Sequence, residues 1–110
     1  VSKDLSCGLL LDYYKFSLTE KQIEILDLYY NDDFSLGEIA EKYDFSRQAA
    51  LDFIRRGTNK LKKLESELKL HQRFSVVTNV LEKSKRYAKQ AGDQDLLNDI
   101  DQALRMMEDM

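Results

Sequence analysis

The chain has 110 residues, of which 43% are hydrophobic and 34% charged, a balance that suits a single folded domain and excludes a disordered one. It has no proline and four glycines, so the turn chemistry of a β-rich fold is missing and the expected class is all-α. The net charge is −3, which by itself argues against nucleic acid as a partner. One cysteine, Cys7, rules out an internal disulfide and fits a reducing cytoplasm. No apolar run approaches the roughly 20 residues that span a bilayer, so membrane insertion is not expected. The apolar stretch near the N-terminus is bracketed by Asp4 and Asp12 and does not read as a signal peptide.

Leu5, Leu9, Leu10 and Tyr13 at helical spacing predict a first helix over 3–14. Thr19 with Gln22 forms a capping box and opens a second helix running to about Tyr30. That helix is apolar nearly all round (Ile23, Ile25, Leu26, Leu28, Tyr29, Tyr30) and is predicted to be the central buried one. Ser35 with Glu38 makes another capping box, and Ile39, Ala40 and Tyr43 give the next helix one apolar face. Asp44 and Phe45 leave room only for a sharp corner. Ser46 then caps a helix that turns Ala50, Phe53 and Ile54 inward and Arg47 and Gln48 outward. Two short helices at a steep angle, with small Ala40 at the crossing, describe a helix-turn-helix over 35–56. In that motif the second helix enters the DNA major groove.

The second helix of the motif is predicted to continue along the seam Ile54, Gly57, Leu61, Leu64 and Leu68. The seam turns polar at His71 and Ser75, which places a break near 71–75. A further helix follows, with Phe74 or Val77, Leu81, Ala88 and Ala91 on one face. Gly92 reads as its C′ residue and Asp93 as the N-cap of a last helix lined by Leu97, Ile100, Leu104 and Met107. The chain is therefore expected to be one domain over 1–110. Residues 1–70 would hold a tri-helical helix-turn-helix core with a long recognition helix, and 71–110 a helical extension packed in cis or against a second copy.

Charge is polarised along this order. Residues 46–63 carry Arg47, Arg55, Arg56, Lys60, Lys62 and Lys63 against Asp52, a balance of +5, while 93–110 carry six acids against Arg105, a balance of −5. The basic segment coincides with the recognition helix. Ser46 would cap that helix, with its first amides near a phosphate. Arg47 and Gln48 pair bidentately with guanine and adenine. Leu51 suits a thymine methyl. Asp52 suits a cytosine amine or an i, i+4 pair with Arg56. Arg55, Arg56 and Lys60 would hold phosphates.

Catalytic chemistry finds little support, and no enzyme activity, metal or cofactor is expected. His71 is the lone histidine, expected at the surface, and Cys7 among leucines reads as a small buried residue. Asp95, Asp99 and Asp101 lack the glycine and terminal glutamate of a calcium loop and read as a solvated helix face. The aromatics, Tyr13, Tyr14, Phe16, Tyr29, Tyr30, Phe34, Tyr43 and Phe45 among them, read mainly as core.

Leu18-Thr19-Glu20-Lys21-Gln22, Ile25-Leu26, Leu28-Tyr29-Tyr30, Ser35-Leu36, Glu38-Ile39-Ala40 and Ser46-Arg47-Gln48-Ala49 together resemble region 4 of bacterial sigma factors. With Asp52, Ile54 and Arg55 added, and with a length near 110, the chain is more closely similar to the YlxM family of small bacterial proteins. The motif-bearing resemblance covers 18–68. Helix-turn-helix corners often carry glycine where this chain has Asp44, a residue that also tolerates φ > 0. The resemblance implies a DNA-binding or regulatory protein linked to the signal recognition particle pathway. Two readings stay open: a regulator that binds duplex DNA, and an accessory protein of that pathway that binds its RNA or a protein partner. A homodimer is expected in the first, because paired recognition helices read a two-fold site and the apolar seam needs cover.

Overall fold

The computed structural model describes residues 3–4 and 6–108; Leu5 and Asp109, used above, lie outside them. Among the described residues are six α-helices and one short 3-10 turn, with no strand. They fall into two compact units, the first ending at Lys69 and the second beginning at Leu70.

In the first unit, α1 spans Ser6–Tyr14 and passes into the 3-10 turn Lys15–Ser17. It begins later than the predicted residue 3, because the Asp4 carboxylate accepts from both the amide and the hydroxyl of Ser6 and so caps the helix there. α2 (Glu20–Tyr30) and α3 (Leu36–Tyr43) start where the capping boxes of Thr19 and Ser35 place them, with both reciprocal bonds formed in each. α4 runs over Arg47–Leu68 from its Ser46 cap. α1, α2 and α3 all pack against α4. The core comprises Cys7, Leu11, Tyr14, Ile25, Leu26, Ile39, Ala50, Ile54 and Leu61. α2 buries only Ile25 and Leu26 fully; the rest of its apolar residues are half-buried, since it is covered on one side by α1 and α4 and exposes Glu20, Glu24 and Asp27 on the other.

The seam of α4 is consumed inside this unit. A Cβ on Gly57 would stand 2.8 Å from Leu26 Cδ1, so α2 and α4 touch where the side chain is missing. Ile54, Gly57 and Leu61 are buried there, Leu64 is half-buried and only Leu68 stays exposed. The expectation that this seam faces a second copy is therefore corrected for its buried part. Polar ties cross the same interfaces. Tyr14 donates to Glu65 at 2.6 Å, and Tyr30 and Thr58 share a hydrogen bond of 2.7 Å.

Burial pushes the Tyr30 phenol from 10.0 up to about 12, and partial burial with the Glu24 carboxylate beside it does the same for Tyr43. The fold holds the neutral phenol. This stabilisation is whole below pH 10.0 and is lost as pH rises through about 12. A spectrophotometric titration should show a late tyrosine phase that Tyr30→Phe and Tyr43→Phe each diminish. Ionisation of all tyrosines in one phase near the ordinary value would contradict it.

The break after α4 falls at Lys69, which takes left-handed dihedrals (φ 55, ψ 36), a few residues before the predicted 71–75. His71 and Ser75, the polar positions that suggested the break, sit inside the next helix, and His71 is half-buried rather than at the surface. In the second unit α5 (Leu70–Ala91) and α6 (Gln94–Glu108) form an antiparallel hairpin. Its turn is Gly92 at φ +67, followed by Asp93, whose carboxylate accepts from the amide of Leu96. Leu81 and Ala88 of the predicted apolar face pack against α6, whereas Val77 and Ala91 are exposed.

Candidate nucleic-acid interface

The corner between α3 and α4 is closed by backbone and rings together. Asp44 is left-handed (φ 57, ψ 42), and its amide and that of Phe45 both return to the carbonyl of Ala40. Aspartate fills the glycine position without displacing the corner. Tyr43 stacks on Phe45, with centroids 6.0 Å apart, and Phe45 lies against Phe53 of α4 at 5.9 Å. Lys21 stands over the Phe45 ring and Tyr43 donates to Glu24, so α2 braces the same corner. This cluster fixes the angle at which α4 leaves the body.

Ser46 Oγ accepts from the amide of Ala49 at 3.0 Å, leaving the other amides of the first turn to point outward. Arg47, Gln48 and Ala49 are all exposed there. Asp52, Arg55 and Arg56 are exposed along the following turns. Asp52 accepts from Gln48 Nε2 at 3.1 Å, and among the described residues it makes no ion pair with Arg56. The predicted i, i+4 pair is thus replaced by one reaching back toward the helix start. Leu51 is half-buried on the flank of the core face, so a thymine methyl would meet only part of it. Lys60, one turn on from Arg56, is exposed but engaged by the body of the unit. Its ammonium donates to the carbonyl of Ser17 at 2.5 Å and ties α4 to the 3-10 turn.

Two features escaped the sequence reading, the regular row that exposed residues make along this helix and the exposure of Phe16. Asn59 and Lys62 continue the exposed row Gln48, Asp52, Arg55 at 4–3–4–3 spacing, the mirror of the apolar seam, and Lys63 flanks it. Counting period on polar positions would have found them. Phe16, counted with the core aromatics, is 72% exposed, while Tyr14 is fully buried as expected of a core residue. Among the described residues no helix is long and apolar enough to cross a membrane.

Two helices meeting at a sharp corner, the second capped by Ser46, agree with the comparisons. The family model for UPF0122, described as "Putative helix-turn-helix protein, YlxM / p13 like", matches residues 1–102. A UPF0122 protein of Halalkalibacterium halodurans is 43% identical over 98 residues, covering 88% of this chain and 90% of that one. One from Bacillus velezensis is 37% identical over 108 residues, 98% of each chain. One from Acetivibrio thermocellus reaches 49% over 74 residues, 67% of this chain and 63% of its own. The chain belongs to the UPF0122 family of YlxM/p13-like helix-turn-helix proteins.

Proposed function

We propose that this protein is a non-enzymatic, cytoplasmic regulator that binds duplex DNA, as a homodimer, through α4. The observation that carries the reading is the exposed first turn of α4, capped by Ser46 and followed by an exposed basic row on a helix held at a braced corner. Arg47 would meet a guanine edge and Gln48 an adenine edge. Gln48 would exchange its bond to Asp52 for the base, an exchange made easy by the exposure of both groups. The open amides of the first turn suit a phosphate oxygen. Arg55 and Arg56 would clamp the backbone with Lys62 and Lys63, while Lys60 serves the 3-10 turn and contributes less. Leu51 and Asp52 would tune the base choice. The net charge of −3 is outweighed locally by the +5 of residues 46–63.

Binding to fragmented genomic DNA and to structured small RNA, measured across salt, tests this. Arg47→Ala and Gln48→Ala should each cost about 1–3 kcal/mol on the preferred duplex and relax its sequence choice. Equal losses on every sequence would reduce α4 to a non-specific basic patch. Tighter binding to RNA than to any duplex would replace this reading by that of an accessory protein of the signal recognition particle pathway.

A further inference from the structure

The α5–α6 hairpin carries more apolar surface than it covers. Its own buried core is Ala88, Ile100 and Leu104, with Leu81 and Leu97 packed against them. At about 100° per residue, Val76, Val80 and Tyr87 share a narrow arc of α5, about 110° from the line of Leu81 and Ala88. On α6, Leu96, Ala103 and Met107 lie about 60° from the line of Ile100 and Leu104, in the same rotational sense. Lys85 and Asp101, joined at 2.8 Å, are displaced in the opposite sense on both helices. In an antiparallel pair, equal senses mean the same side. One side of the hairpin is therefore spanned by an ion pair, and the other carries a largely apolar face, interrupted on α5 by Arg73 and Ser84. Val80 is 57% exposed on it and Tyr87 61%. A two-helix unit with so small a core is below the size that stands on its own burial.

The charges indicate what covers the face. α5 carries five bases against one acid, +4, and α6 four acids against one base, −3. We infer that a second copy of this chain covers it, hairpin on hairpin, about a two-fold axis running along the helices, giving a four-helix bundle. That axis lays basic α5 over acidic α6 of the copy, whereas an axis across the helices would lay α5 over α5. An axis along the helices also leaves axial position unchanged, so the register set by Lys85 and Asp101 within one hairpin holds between copies. Lys83, on the outer edge of the face, then comes level with Ala103 of the copy, one helical turn from Asp99 on the same edge.

The inference rests on the reading above only for the use of a dimer, which would present two copies of α4. Sedimentation equilibrium of the full chain at micromolar concentration should give twice 12.9 kDa. Val80→Lys with Tyr87→Lys should weaken the dimer by about 100-fold or more, as loss of a central anchor does, with helical circular dichroism unchanged because both sites are exposed. Lys83→Asp should weaken the dimer, and adding Asp99→Lys should restore it. A monomeric wild-type chain, an undiminished dimer in the lysine variant, or a charge swap that restores nothing would each overturn the proposal. A dimer that binds no duplex would overturn the DNA reading and leave this face standing; a DNA-binding monomer would do the reverse.

Discussion

Gly57→Val should destabilise the first unit by about 1–3 kcal/mol or somewhat more, the cost of overpacking a close-packed core. A Cβ at this position meets Leu26 at three atoms, the nearest 2.8 Å away, and Leu26 is fully buried. Helix propensity works the other way, since glycine inside a helix costs about 1 kcal/mol relative to alanine. Gly57→Ala should accordingly come out smaller than the valine change, its contact partly offset by the gain in propensity. Valine is β-branched and cannot rotate its bulk away from α2. Thermal and urea melts followed by circular dichroism measure the difference. An unchanged midpoint for Gly57→Val would mean that α2 and α4 separate at little cost, and that the seam is not the spine of this unit.

The second large effect concerns binding. Arg55→Glu combined with Arg56→Glu should lower duplex affinity by about 100-fold or more at moderate salt and reduce the salt slope by about 1.8, the share of two phosphate contacts. Both residues are exposed, so the melting curve should move by no more than about 0.5 kcal/mol equivalent. Lys60→Ala is the informative contrast. Its ammonium serves the Ser17 carbonyl, so it should cost stability and leave the slope nearly unaltered. A full unit of slope lost on Lys60→Ala would show that phosphate outcompetes the 3-10 turn for that ammonium.

What could be read from the sequence was whatever the chain settles within a few residues. The caps at Thr19, Ser35, Ser46 and Asp93 are hydrogen bonds spanning three residues, written in residue types that have few other uses. The corner at Asp44 was legible for the same reason. The stop at Lys69 was not, because a lysine in left-handed backbone carries no sign of it and neither glycine nor proline marks the place. Periodicity announced that Ile54, Gly57 and Leu61 are covered, yet it cannot say by what, and the missing side chain of Gly57 fits α2 rather than a copy. In the candidate site, Ser46, Arg47, Gln48, Arg55 and Arg56 lie exposed on one helix as their spacing requires. The tie of Lys60 to Ser17 was not legible because the two are 43 residues apart, a distance at which local pattern is silent.

Cys7 is sealed in the wall between α1 and its neighbours, with 1% of its surface open and its thiol pushed up by burial. The thiol of the folded molecule is thus shielded from oxidants and alkylating reagents. Two copies cannot be covalently joined through it while α1 is docked, so any pairing of native chains is held by contacts alone. A disulfide-linked species, should one accumulate in air, would be a record of chains whose first helix had come loose. The rate at which this thiol reacts is therefore a built-in clock for opening of the helix-turn-helix unit, one that leaves the second unit out of the count.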